Sequence, residues 1–168
     1  YSSKHGTSGN SLFQSCMNNE NTQKFLDIYV LNPNNVQLLV VKHPGGVVGR
    51  ALIWRDVELY TPTKSIKDQT PIVTTFMDRC YFTQDWIMNK MLDFARSNGW
   101  YARYYQKPQE HQVLQDPKGQ ANNFLVKVKM DNLRCEFYPY MDTMFYIDYK
   151  TSTLSNSNLL TPEGESSD

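Results

Sequence analysis

Apolar positions recur along this chain with two periods, and the switches between them mark its elements. Phe25, Ile28, Tyr29 and Leu31 form one stripe, which predicts a helix over residues 21–31. Asn32-Pro33 ends it, because proline disfavours the helical region in its predecessor. Residues 36–42 and 47–54 are β-branched runs flanking His43-Pro-Gly-Gly46, a hairpin pattern. Residues 57–60 extend the second strand, 61–70 form a polar loop, and 71–77 give a third strand. Thr83 then reads as an N-cap, with Asp85 in the first turn where a carboxylate suits the helix dipole. This main helix runs to Asn98, with Ile87, Met88, Met91, Leu92, Phe94 and Ala95 on its buried face. Gly99 supplies the left-handed stop.

Beyond Gly99 the period returns to two. Residues 100–106 read as a strand, 107–122 as a polar loop, and 124–130 as a half-exposed strand with Lys127 and Lys129 outward. A turn at Asp131-Asn132 leads to a run over 134–138, which Pro139 breaks or confines to an edge. Residues 145–149 and 153–154 pair as a short hairpin across 150–152. Residues 1–10 are small and polar and read as a loose arm, and 155–168 as a polar tail. Between them, residues 11–154 are expected to form one α+β domain, with two main helices and a mixed, mostly antiparallel sheet.

Composition narrows the function classes. A chain of 168 residues can bury its core without staples. Its 17 basic and 17 acidic residues cancel, which argues against a dedicated duplex-DNA binder. Cys16, Cys80 and Cys135 are odd in number and widely spaced, so free thiols in a reducing compartment are expected and no metal site is. No apolar run approaches the ~20 residues that cross a bilayer, and no secretory signal is evident.

The order of helix, hairpin, third strand, amphipathic helix and strand over residues 21–106 resembles the core of the Gcn5-related N-acetyltransferase fold. That resemblance implies a coenzyme A pyrophosphate at the start of the main helix. The family opens this helix with Arg/Gln-x-x-Gly-x-Gly/Ala; here the stretch is Asp78-Arg-Cys-Tyr-Phe-Thr-Gln84, which holds no glycine. Those glycines let backbone amides approach a phosphate, so no cofactor is expected. The strings Ser15-Cys-Met17, Gly49-Arg-Ala-Leu-Ile-Trp54, Phe76-Met-Asp-Arg-Cys-Tyr81 and Tyr138-Pro-Tyr-Met-Asp-Thr143 resemble uncharacterised proteins encoded by tailed bacteriophages. This implies a viral origin, in host cytoplasm or virion, and no particular chemistry.

Candidate chemistry gathers where the third strand meets the main helix. Asp78 and Arg79 occupy a position where orphan amides and the helix dipole favour an anion, and Arg79 could clamp it. Arg50, inside an apolar strand on the face of Val48 and Leu52, needs a partner or a solvent edge; Tyr81 and Thr83 complete the candidate anion site. The competing expectation is structural: Asp78 or Asp142 paired with Arg50 or Arg79, holding strands together. Cys16 or Cys80 with His5, His43 or His111 is a weaker nucleophile–base reading, and no catalytic residue is assigned. Tyr101, Arg103 and Tyr105 share one strand face as a candidate stacking surface for single-stranded nucleic acid, with Trp100, Ala102 and Tyr104 packed on the helix. Half-exposed edge tyrosines are the bland alternative.

Three functions remain. The preferred one is a non-catalytic viral protein that binds a viral or host protein, in an assembly or against the host. The others are an acetyltransferase-like enzyme using Arg79 and the helix start, and a single-stranded nucleic-acid binder.

Overall fold

The computed structural model describes residues 27–107, 110–134 and 141–160. A short helix, α1 (Asp27–Val30), ends at Asn32, whose fully buried amide donates to the Ile28 carbonyl at 2.7 Å. The same amide donates to the Asn132 carbonyl at 2.6 Å, so the helix end is tied to a turn a hundred residues away. The expected start of this helix, residues 21–26, lies outside the described residues, as do the 1–10 arm, Cys16, Cys135 and His5.

The hairpin forms from β1 (Val36–His43) and β2 (Gly46–Tyr60), with a turn at Pro44-Gly45. β2 is the spine of the sheet. Its first half pairs with β1, with β3 (Ile72–Met77) and with the short β4 (Tyr81–Phe82); its second half pairs with β3 and β8 (Leu125–Lys129). Two bulges make this possible. Against β1, Val41 pairs with Gly49 and Lys42 with Val47, leaving Val48 as the extra residue. Against β3, the register slips between Trp54 and Val57, and Asp56 takes a left-handed conformation (φ 54°). Asp tolerates that region better than most residues, and the strand curls there.

α2 (Asp85–Ser97) leads from β3 to β5 (Tyr101–Arg103), which runs parallel to β3; every other pairing is antiparallel. The sheet then continues through β6 (Val113–Gln115) to β7 (Ala121–Asn123) on one side. On the other it continues from β8 through β10 (Thr153–Ser155) to β9 (Tyr146–Asp148). Among the described residues the fold is thus α+β, one curled mixed sheet with two α-helices.

Four expectations need correction. The loop over 107–122 contains the β6–β7 hairpin, whose turn is fixed by Asp116 Oδ1 accepting from the Lys118 and Gln120 amides, each at 2.9 Å. The strand after Gly99 spans Tyr101–Arg103 and not 100–106. Thr83 does not cap α2: Gln84 holds that position, and the Thr83 hydroxyl faces the Val48 carbonyl at 3.4 Å. The polar tail begins later than Ser155. Ser155, Asn156 and Ser157 are buried, and Asn156 accepts from the Val126 amide at 2.7 Å while donating to the Phe124 carbonyl at 3.1 Å. A side-chain amide continues the ladder where strand pairing stops.

The sheet carries a core on each face. On one, Ile87, Met91 and Ala95 of α2 pack on Val48, Ala51, Ile53, Met77 and Ala102. On the other, Trp54, Phe76, Val57, Leu114, Val126 and Leu154 gather with Ile28 and Met144. Val48 belongs to the α2 side because its bulge breaks the alternation that would have put it beside Arg50.

Gly49 sets the spacing between α2 and the sheet. A Cβ there would meet Ile87 Cγ2 at 2.8 Å, Met91 Sδ at 3.1 Å and Val41 Cβ at 3.4 Å. The Ile87 methyl is held on its helix and cannot swing away as a flexible chain end would. Gly49→Ala should therefore destabilise the protein by about 1–3 kcal/mol in urea unfolding. The cost should shrink in an Ile87→Ala background, which removes the Cγ2 methyl; an unchanged cost there would place the strain elsewhere.

Candidate functional site

Asp78 follows β3 and is buried. Its carboxylate receives three donors: the Trp54 indole at 2.9 Å, the Thr143 hydroxyl at 2.5 Å and the Arg79 amide at 2.7 Å. Thr143 is in turn held by Arg103 Nη1 at 2.9 Å. Arg103, fully buried, also donates to the carbonyls of Asp142 at 2.8 Å, Lys107 at 2.6 Å and Tyr105 at 3.2 Å. The chain Arg103–Thr143–Asp78–Trp54 thus links β5, the 141–143 segment, the end of β3 and β2. Burial, followed by the Asp142 charge, holds the Asp78 acid above the usual carboxylate range, against the pull of its three donors.

Next to this closed centre lies a half-open one. Arg79 forms an ion pair with Asp142 at 3.2 Å, and the Tyr81 hydroxyl donates to the other oxygen of that carboxylate at 2.7 Å. The guanidinium carbons of Arg50 and Arg79 lie 4.7 and 5.2 Å from the Tyr81 ring centroid, within cation–π range. Arg50 faces Tyr81 across the β2–β4 pair, on the strand face of Leu52 and Trp54, away from α2.

Of the candidate anion site, the structure therefore gathers Arg50 and Arg79 around the Tyr81 ring, with Arg79 and Tyr81 both on Asp142, while Asp78 turns to Trp54 and Thr143. Thr83 stays apart, its amide bonded to the Val48 carbonyl at 3.0 Å. Pairing of β4 with β2 also fixes the stretch that a phosphate-binding turn would occupy. One ion pair, Arg79–Asp142, and the Tyr81 hydrogen bond tie Asp142 to the stretch that follows β3.

The stacking surface is not assembled as expected. Arg103 is buried, Tyr101 packs edge-on against Phe124 at 5.4 Å, and Tyr105 is exposed beside Tyr104 at 4.8 Å. A buried arginine satisfied by three carbonyls and a hydroxyl cannot reach a base. Trp100 and Ala102 do pack with the α2 core, whereas Tyr104 is exposed and does not.

Cys80 is buried, and burial followed by the nearby Asp78 charge pushes its thiol up to about 12. That is the opposite of nucleophile activation. His43 lies edge-on to Trp86 and His111 edge-on to Phe145. Among the described residues, no group of three or more His, Cys, Asp or Glu side chains gathers to hold a metal, and no helix is long and apolar enough to cross a membrane.

Sequence reasoning missed a second feature. Between β1 and α2 runs an open groove of about 560 Å³. Leu39, Val41, Met91 and Phe94 line it, with Lys42, Lys90 and Asp93 at its rim. Phe94, expected on the buried face, is 46% exposed here, edge-on to Trp100 at 5.5 Å. The available signal was a run of four apolar residues, 38–41, where a strand with one solvated face would alternate.

Two measurements check the closed centre. Asp78→Ala should cost about 3–5 kcal/mol, because it strands three buried donors. An acid raised above its ordinary 3.8 contributes stability that is full below that value and lost as pH rises through its folded pKa. The stability of wild type minus that of Asp78→Asn should therefore fall as pH rises from about 4; a rise would mean that the carboxylate is favoured. Separately, in a Cys16→Ser, Cys135→Ser background, Cys80 should resist iodoacetamide until denaturant unfolds the chain, as read by mass spectrometry.

Comparison with protein-family models, with curated proteins and with solved structures returns no match.

Proposed function

We propose that the protein is a non-catalytic binding protein of viral origin, a virion or assembly component or a host-directed interaction protein, that engages its partner through the edge of β1. One observation carries this reading. β1 has eight residues and, among the described residues, pairs with β2 alone, leaving its outer edge beside the apolar groove. Open edges are normally blunted by shortness, charge or bulges. The two ends of the sheet follow that rule: β7 is Ala-Asn-Asn and β9 Tyr-Ile-Asp, three residues each. β1 departs from it, with Leu38 39% exposed and Lys42 its one formal charge.

An added strand would gain backbone hydrogen bonds worth about 0.5–1.5 kcal/mol each, plus burial of Phe94 and its neighbours. The parallel β3–α2–β5 crossover supports an acetyltransferase-like element order for the scaffold. The glycine-free, strand-paired stretch before α2 is why binding, and not acyl transfer, is proposed for it. Burial of Arg103 weighs against a nucleic-acid partner.

Hydrogen–deuterium exchange tests the reading. Amides of residues 36–43 should exchange faster in dilute protein than in complexes isolated from infected cells. Protection of some other surface, with β1 unchanged, would refute it.

A further inference from the structure

We infer that the occupant of the β1 edge is a second copy of this chain, paired antiparallel about a two-fold axis through Val40. The inference rests on the binding reading above and names its partner.

A two-fold normal to the sheet keeps each face on its own side, so residues meet partners of matching face. Centred on Val40, Leu39 of one copy meets Val41 of the other, both from the groove side of the sheet. Leu38 then lies across from Lys42, and Gln37 across from His43. The apolar middle of the strand is thereby buried on itself. The two Lys42 side chains fall at opposite ends, four residues apart along the pair. At about 3.3 Å per residue that is ~13 Å, beyond the ~8–10 Å over which exposed charges interact in physiological salt. Self-pairing costs little in repulsion.

The groove supports the same partner. Both α2 helices would lie on one face, flanking the seam, and the two grooves would merge between the two Phe94 rings. Their linings carry both signs on one helix, Lys90 and an Asp93 that also pairs with Arg96. A two-fold copy can match such a mixed lining with its own, whereas a partner of uniform charge would meet repulsion from one of the two.

The register makes a charge test decisive. Leu38→Lys sets a lysine across from Lys42 at both ends of the pair, whereas Leu38→Glu sets a carboxylate there. Sedimentation and light scattering on the full chain at tens of micromolar should show a dimer for wild type. The Lys variant should weaken it by about tenfold or more, from two like-charge pairs. The Glu variant should dimerise at least as tightly as wild type, with both variants melting as wild-type folds do. Equal weakening by both variants, or a wild-type monomer, overturns the inference. Exchange then separates it from the broader reading. A monomer whose 36–43 amides are protected only in isolated complexes overturns self-pairing and leaves binding at β1 standing. A monomer protected on its own shows the edge covered within the chain and overturns both.

Discussion

The buried chain from Arg103 through Thr143 and Asp78 to Trp54 is the constraint on which the rest depends. It ties residues 141–143 to β2, the end of β3 and β5, which are already neighbours in the sheet. A fully buried guanidinium is costly unless satisfied, and here three carbonyls and a hydroxyl satisfy it. A buried carboxylate beside a second one is costly as well, and three donors offset that. Each group is tolerable only while the others are in place. The network therefore specifies how residues 141–143 close over β2, β3 and β5 more than it adds net stability.

That closure takes up the residues that look most like a site in the sequence. Strand ends facing a helix are where ligands usually collect, and the concentration of Asp78, Arg79, Cys80 and Tyr81 invites such a reading. In the fold, Asp78 is enclosed, Cys80 is buried with its thiol held protonated, and Arg79 and Tyr81 are spent on Asp142. Among the described residues, the edge of β1 and the groove beside it keep hydrogen-bonding and apolar capacity at the surface.

Much of the scaffold was legible because it rests on local rules. The Pro44-Gly45 hairpin, α2 with its stop at Gly99 (φ 73°), and the β9–β10 hairpin follow from turn chemistry and periodicity. What escaped depends on distant contacts. β6 and β7 are too polar and short to announce themselves, and the Asp116 turn holds them. Asn156 reads as tail until its amide is seen completing β8. Arg103 looks like an exposed cation between tyrosines, since nothing local reveals carbonyls converging on it from residues 105, 107 and 142. The Arg79–Asp142 pair was among the alternatives weighed, but alternation misplaced Val48, because a bulge cannot be read from apolar spacing alone.

The groove beside β1 depends on that same bulge. Val48 is the extra residue that turns toward α2, and Gly49 follows it where Ile87 and Met91 press closest to the sheet. With no side chain at 49, Met91 seats against β2, and the flank of α2 bearing Phe94 overhangs β1 without covering it. A larger residue would lift the helix and widen the groove. A helix shifted toward β1 would instead close the groove and bury Phe94. The apolar cleft beside the open edge is thus a consequence of one packing choice, the approach of α2 to the glycine that follows a bulge. The binding proposed at β1 and the stability of the α2 core would for that reason be physically coupled.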